Sequence, residues 1–132
     1  MKKRFSIKWI KSTQIRKQRK YRYNAPLHIR QKFVNIHLSK ELRTKYGIRA
    51  IGARKGDKVK VLRGNFNGKA GTIEKVNLKK SKIYVTGVEM IKKEGSKAKI
   101  PLEPSNLMIT ELNLDDKRRI EAKKTEKTEA TP

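Results

Sequence analysis

The chain has 132 residues, a formal net charge of +24 and no cysteine. Its apolar share of 35% lies below the roughly 45–50% of typical globular domains, which predicts one small core with extensions. Disulfides and thiolate metal sites are excluded, and His28 and His37 have no other ligands clustered around them, so we expect no metal and no cofactor. No apolar run approaches the ~20 residues of a membrane span, and no signal-type segment follows the basic start, which predicts a cytoplasmic protein without a membrane partner.

Half of the basic residues lie in the first 55 positions. That segment contains 18 of the 36 Lys and Arg residues, and Glu41 is its only acidic residue, so it carries +17 of the formal charge. Solubility alone does not require so large an excess of positive over negative charges. The imbalance indicates a polyanionic partner, and for this composition nucleic acid is the polyanion expected.

Residues 1–23 are predicted to form a basic extended arm. Residues 1–24 contain ten Lys and Arg and no acid, and their apolar residues are too sparse for a stable amphipathic helix. Self-repulsion then keeps the arm extended until a partner neutralises it. Trp9, Tyr21 and Tyr23 alternate with these cations. They either stack on bases, which is the interpretation we favour, or are incidental in a disordered tail.

Residues 24–47 predict two short helices. Asn24 and Pro26 suit the first turn of a helix. The N–H groups of that turn have no partner within the helix, so proline loses no hydrogen bond there. Ile29, Phe33 and Ile36 then recur at spacings of four and three, which places them on one helix face.

The second helix is predicted to begin at Ser39, after a bend. The Ser39 hydroxyl can accept hydrogen bonds from N–H groups of the first turn. Leu42 and Tyr46 share a face of this helix, and Gly47 supplies a left-handed stop.

Residues 48–112 change to a period of two, which is typical of strands. The alternating segments are 58–61, 72–74, 82–86, 98–102 and 107–110, with a kink at Gly87 and a continuation at 88–91. Five short strands predict a small antiparallel β-barrel, which removes its own sheet edges by closure. Residues 113–132 predict a short helix over 115–123 and a disordered tail. The expected fold class is therefore α+β.

The segment between the first two strands carries glycines and hydrogen-bond donors. Gly64, Gly68 and Gly71 can each take positive φ or let another backbone approach closely. Side chains that can reach phosphate oxygens and sugar hydroxyls are those of Arg63, Asn65, Asn67 and Lys69. Phe66 either stacks on an unpaired base or plugs the end of the barrel, and we favour the plug. The residues alone leave open that the glycines serve only the turns.

Catalysis is not expected. The acidic residues along the barrel form no evident acid–base pair, the serines lack a nucleophile-elbow context, and the Walker A pattern is absent. These absences predict a protein that is not an enzyme and has no small-molecule substrate. No surface for a homo-oligomer is evident either.

The stretch from Gly56 to Gly87 resembles the KOW motif of ribosomal proteins and transcription elongation factors. The flanks resemble the archaeal and eukaryotic form of the large-subunit ribosomal protein L24 family, called L26 in eukaryotes. In chain order the matching segments are RKQRK at 16–20, NAPLHIR at 24–30, LSKELR at 38–43, YG at 46–47, RKGD at 54–57, PSN at 104–106 and LDDKR at 114–118. Departures are minor: Ala53 replaces an expected valine, and Leu102-Glu103 replaces a histidine or small residue before Pro104.

This resemblance implies an SH3-like KOW barrel over residues 48–112, in a structural constituent of the large ribosomal subunit. It implies binding to the 5′ domain of the large-subunit rRNA, a role in early assembly, a position near the polypeptide exit, and neighbouring ribosomal proteins as partners. One alternative is a KOW-domain transcription elongation factor that binds nascent RNA or polymerase, although no separate polymerase-binding domain is visible. Another is a non-specific nucleic-acid compaction protein.

The residues expected to contact rRNA lie in the arm, the first helix, the segment before the barrel, and the glycine-containing loop. They are Arg16, Lys17, Arg19, Lys20, Arg22, His28, Arg30, Arg54, Lys55, Arg63, Gly64, Asn65, Asn67, Gly68 and Lys69. His37, near the predicted bend, is expected to be a capping or surface residue instead. Phosphate contacts should supply most of the affinity, and RNA shape and 2′-hydroxyl groups most of the selectivity.

Overall fold

The computed structural model describes residues 5–8 and 11–121. The interpretation of Trp9, the predicted disordered tail and the end of the helix predicted over 115–123 lie outside the described residues. Within the described ranges, no helix is both long and apolar enough to cross a membrane.

The described chain consists of short helices and short strands, which agrees with the predicted α+β class. The helices are α1 (Ile15–Asn24), α2 (Leu27–Arg30) and α3 (Lys40–Tyr46), with 3-10 turns at Gln31–Val34 and Pro104–Asn106. The strands are β1 (Asn35–Leu38), β2 (Ala50–Gly52), β3 (Lys58–Val61), β4 (Ala70–Asn77), β5 (Lys82–Val85), β6 (Glu89–Ile91), β7 (Lys97–Lys99) and β8 (Leu107–Glu111). Residues 118–121 are helical, within the range predicted for the last helix.

Six strands form one mixed sheet in the order β2-β1-β8-β3-β4-β5, and β6 and β7 form a separate ribbon. The β1–β8 pair is parallel and the other pairs are antiparallel. The predicted closed antiparallel barrel is therefore wrong. Among the described residues no pairing joins β2 to β5, and one pair is parallel because the chain passes through β2–β7 before β8 returns to β1. Such a long crossover is what a parallel pair requires.

The first predicted helix is wrong over Asn35–Leu38, because this segment forms strand β1. Ile36 and Leu38 are buried while Asn35 and His37 are more exposed, so this segment follows a period of two. Strands β2 and β8 flank β1 and hydrogen-bond to it from both sides. The spacing of Ile29, Phe33 and Ile36 fitted a helix equally well, and tertiary pairing decided between the two periods.

α3 confirms most of the second predicted helix. Gly47 has φ of +67° and ends the helix in the left-handed region. Leu42 and Tyr46 pack against the core. Ser39 occupies the N-cap position, but its side chain makes no capping hydrogen bond, so the acceptor role predicted for its hydroxyl is wrong.

The extended arm predicted over residues 1–23 is wrong from residue 15 onward, because residues 15–24 form helix α1. No residue of this helix is buried. One aromatic side of the helix contacts the rest of the fold. The Tyr21 ring lies 6.2 Å from the Phe33 ring, and the Phe5 ring lies 4.9 Å from Tyr21. The Arg22 guanidinium lies 5.2 Å from the centre of the Phe33 ring. These contacts give α1 the tertiary support that its own sequence does not supply.

The core lies on one face of the sheet, and the alternation of the strands builds it. Val59 and Val61 of β3 and Ile109 of β8 are fully buried, whereas Lys58 and Lys60 face solvent. The remaining buried residues from the sheet continue this pattern: Ile36, Leu38, Ile51, Ile73, Ile83, Val85 and Leu107. The sheet therefore offers its outer face and its loops to partners.

Candidate nucleic-acid interface

Five of the predicted contact residues lie together on α1. Arg16, Lys17, Arg19, Lys20 and Arg22 are all exposed, and we call them the α1 surface. A ten-residue helix is about 15 Å long, so these five cations are concentrated in a short rod. Within the described residues none of them has a salt-bridge partner. The α1 surface therefore has a strong positive electrostatic potential that can attract an anion.

Arg30 does not share this exposure, because its guanidinium is occupied by backbone carbonyls. Nε donates to the Ala25 carbonyl at 2.9 Å, Nη1 donates to the Lys79 carbonyl at 2.8 Å, and Nη2 donates to the Tyr23 carbonyl. Arg30 therefore ties the end of α1 to the turn between β4 and β5. Its role in this structure is to position α1.

A groove brings together three predicted residues from distant parts of the sequence. His28 from α2 and Arg54 and Lys55 from the turn before β3 all line it, and its volume is about 960 Å³. Lys32 and Lys75 line the same groove and were missed in the sequence, since no motif marks them. The groove thus combines residues from four stretches of the chain, at 28–35, 51–55, 74–78 and 119.

A buried ion pair fixes the turn that carries Arg54 and Lys55. The Arg119 guanidinium donates from Nη1 to Oδ1 and from Nη2 to Oδ2 of Asp57, both at 2.6 Å. The two side chains are 2% and 0% exposed. The backbone N–H groups of Arg54 and Asn113 also donate to this carboxylate, at 3.0 and 2.9 Å. Four donors on one buried carboxylate satisfy a charge that would otherwise be very costly to bury.

The sequence offered only a weak signal for this pair. Asp57 follows a glycine after a long basic segment, and a buried aspartate needs a partner. The partner, Arg119, lies 62 positions away among mixed charges. It also donates to the Gly52 carbonyl at 2.8 Å and to the Asn113 carbonyl at 3.0 Å, so it joins the chain after β8 to β2.

Arg54 is the one predicted contact residue with a salt-bridge partner among the described residues. Its Nη1 lies 2.8 Å from Oδ2 of Asp116, and both side chains are about half exposed. The hydrogen bond from Arg54, followed by that from the Arg118 backbone N–H, holds the pKa of Asp116 below its usual value. An exposed pair of this kind is weak, so an incoming phosphate can compete for Arg54.

The loop at residues 62–69 has the geometry that its glycines predict. Gly64 and Gly68 have φ of +98° and +86°. The Asn67 N–H donates to the Gly64 carbonyl at 3.1 Å, and the Gly68 N–H donates to the Val61 carbonyl at 2.9 Å. Gly71 instead allows close approach, because a Cβ there would lie 2.4 Å from the Thr86 carbonyl oxygen.

Phe66 is half-buried and packs against the core from this loop, which agrees with a packing role for its ring. The Lys69 ammonium lies 4.9 Å from the centre of its ring. Anchoring by Phe66 leaves the predicted polar side chains exposed around it: Arg63, Asn65, Asn67 and Lys69. The loop can therefore present donors without having to be ordered by a ligand.

A further basic cluster surrounds His37, which the sequence placed outside the interface. Burial, then the charges of Arg43, Arg49 and Arg63, lower the pKa of His37. The Arg43 side chain is held by a 2.7 Å hydrogen bond from Nε to the Leu38 carbonyl. These cations come from α3, from the segment before β2 and from the loop, so only the fold reveals that they are neighbours. Among the described residues no cluster of His, Cys, Asp and Glu could hold a metal ion.

Comparison with known proteins gives one consistent result. A family model described as ribosomal proteins L26 of eukaryotes and L24 of archaea matches residues 12–124. A protein of Methanocorpusculum labreanum named large ribosomal subunit protein uL24 is 49% identical over 84% of this chain and 92% of its own length. Proteins of the same name from Methanospirillum hungatei and Methanosarcina barkeri are 51% and 49% identical, each over 82% of this chain and over 90% and 93% of their own lengths.

Proposed function

Since this chain belongs to the family of ribosomal proteins that comprises L26 of eukaryotes and L24 of archaea, we propose that it is an rRNA-binding structural constituent of the large ribosomal subunit. The family is one of structural proteins and not of enzymes. The proposal places the chain in the cytoplasm, on the ribosome, with large-subunit rRNA and neighbouring ribosomal proteins as its partners.

The observation that carries the proposal is the way charge is distributed. The six salt bridges between described residues use bases outside the α1 surface and outside the loop. The acids of the fold therefore leave those cations uncompensated, although they stand in fixed positions on a helix and on an anchored loop. A fixed array of uncompensated cations suits a folded polyanion, whose phosphates release counterions on binding.

The finer parts of the proposal rest on the sequence resemblance. β3, the loop, β4 and β5 would form the KOW unit of an SH3-like fold, with α1, α2, β1 and α3 preceding it in the chain. The rRNA contacted would be the 5′ domain, close to the polypeptide exit, and binding would occur early in assembly. Positive φ at Gly64 and Gly68 and the half-buried Phe66 support the KOW assignment, because they give the loop a defined shape.

A KOW-domain transcription elongation factor is the competing proposal. The family match extends over residues 12–124, far beyond the KOW stretch at 56–87. It includes α1 and the turn at 54–57, which together carry most of the predicted contact residues outside the loop. This extent favours the ribosomal function.

Co-sedimentation tests the proposal in cells that express the tagged full chain. We expect the chain to sediment with the large subunit and to resist release at moderate salt. A chain found free, or associated with RNA polymerase, would overturn the ribosomal assignment.

A further inference from the structure

The groove described above has an apolar floor as well as a basic rim. Val34 and Ile51 form the buried part of the floor, and Ala53, Val76 and Leu78 are its half-buried part. Phosphates of a duplex need only the cations of the rim, so the accessible apolar surface of Ala53, Val76 and Leu78 is left for another part of a ligand. The floor calls for a ligand with an apolar face.

We propose that the groove holds a single unstacked nucleotide of the bound RNA, with its base on the floor and its phosphates against the rim. This inference rests on the proposed function and deepens it, because it separates a base-binding site from the phosphate-binding α1 surface. Unstacked bases in RNA are the ones that proteins hold through their faces, whereas helical RNA offers mainly phosphates and 2′-hydroxyl groups.

The dimensions and charges of the groove suit this occupant. Its volume of about 960 Å³ lies at the upper end of the roughly 300–1,000 Å³ of small-molecule sites, so a nucleotide and its flanking phosphates can enter. Lys32, Arg54, Lys55 and Lys75 line it and can neutralise those phosphates. The one carboxylate in the lining, Glu74, is bonded to Lys99, which reduces its repulsion of the phosphates.

The groove is also held in shape before any ligand arrives. Arg119 lines it while both of its terminal nitrogens bind Asp57, and this pair fixes the turn that carries Arg54 and Lys55. Gln31 and Asn35 also line the groove, and a side-chain amide has both donors and acceptors for the edge of a base. A preorganised site loses little conformational freedom on binding.

The test uses the full chain and a set of short RNA hairpins. One hairpin is fully paired, four carry a single bulged nucleotide with each of the four bases in turn, and one carries an abasic bulge. We expect at least one bulged hairpin to bind about tenfold more tightly than the abasic one, which is within the range for holding one base. Equal affinity for all bulged, abasic and paired hairpins would overturn the groove assignment and leave rRNA binding intact. Failure to bind any of them would instead count against the proposed function.

Two variants locate the base on the floor. Leu78→Asp places a charge there, and Ala53→Leu fills the space without changing charge. Each should abolish the preference for the bulged base while retaining affinity for the paired hairpin to within a few-fold. Leu114→Asp, at an exposed leucine outside the groove, is the matched control and should keep the preference. Circular dichroism confirms that each variant is folded, and persistence of the preference in both folded groove variants would contradict the proposal.

Discussion

The α1 surface and the turn at residues 54–57 are both rich in basic side chains, but their charges are used differently. On α1 the cations are exposed and have no salt-bridge partner among the described residues. At the turn, Asp57 is fully buried against Arg119, and Arg54 pairs with Asp116. The buried charges of Asp57 and Arg119 at the turn therefore stabilise the fold, whereas the charges on α1 remain available to a partner. The difference separates changes that should affect stability from changes that should affect RNA affinity.

The largest effect is expected from Asp57→Asn. The change leaves the Arg119 guanidinium buried without its counter-charge, and breaking such a pair costs about 3–5 kcal/mol of unfolding free energy. Urea denaturation followed by circular dichroism measures this decrease. Asp116→Asn is the control, because it removes a carboxylate from an exposed pair with Arg54 and should leave the urea midpoint almost unchanged. Equal midpoints for the two variants would show that the buried pair does not stabilise the turn.

The loop at residues 62–69 combines a structural role with a binding role, because its glycines fix the backbone shape and its cations remain exposed. Gly68→Val forces a β-branched residue to a φ of +86°, which should cost on the order of 1–3 kcal/mol and weaken RNA binding. Ser96→Val is the matched control, because Ser96 is exposed in the turn between β6 and β7, lies outside the predicted contact residues and has no positive φ. Thermal melting and RNA titration of both variants measure the difference. A Gly68→Val chain as stable and as RNA-competent as the control would mean that the turn is not needed.

Neutralising α1 should have the reverse effect, on affinity and not on stability. Lys17→Gln with Lys20→Gln removes two exposed cations from a helix that buries no residue. The slope of log affinity against log salt should become shallower by about 0.7–0.9 for each phosphate that is no longer neutralised, with the melting temperature unchanged. Lys92→Gln with Lys93→Gln removes the same charge from the turn between β6 and β7 and serves as the control. If both pairs changed the slope equally, net charge alone would explain binding.

The smallest effect is expected from pH, through His37. In the unfolded chain the side chain titrates near the ordinary histidine pKa of 6.5, while burial and the charges of Arg43, Arg49 and Arg63 lower the pKa in the fold. Between these two pKa values the unfolded chain binds more protons, so stability should fall as the pH is lowered through 6.5 towards the folded pKa. His37→Gln should remove this part of the pH dependence. Melting curves of both proteins across this range test it, and identical pH profiles would contradict it.

The same cluster predicts a linkage with RNA. A phosphate beside His37 would offset the arginine charges and raise its pKa, so binding should take up a proton and tighten as the pH falls. His37→Gln should weaken this trend. Unchanged pH dependence of RNA affinity in the variant would place the phosphates elsewhere.

Local patterns in the sequence predicted the local parts of this fold. Alternation predicted β3, β5 and β8, and Gly47 and Gly68 predicted a helix end and a turn, because each of these depends on neighbours in the chain. Asn35–Leu38 was misread as helix because its apolar spacing fits two periods and only pairing with β2 and β8 distinguishes them. α1 was misread as extended because contacts with Phe33 and bonds from Arg30 support it.

The candidate interface was likewise predictable in its local features and not in its tertiary contacts. The exposed cations of α1 and of the loop could be named from composition and motif, because their exposure needs no tertiary information. The sequence could not predict which distant residues come together in the fold. Asp57 and Arg119 lie 62 positions apart, the groove draws on four separate stretches of the chain, and Arg43, Arg49 and Arg63 meet at His37 only in the folded sheet. Arg30, with the same chemistry as its neighbours, turned out to hold backbone carbonyls.

We expect the cations that the fold leaves uncompensated to recognise large-subunit rRNA. The most direct measurement is the affinity of the full chain for a 5′-domain fragment of that rRNA and for a random duplex of equal length, at the same moderate salt. We expect a clear preference for the rRNA fragment that persists as salt is raised. Equal affinities, with equal salt slopes, would contradict it.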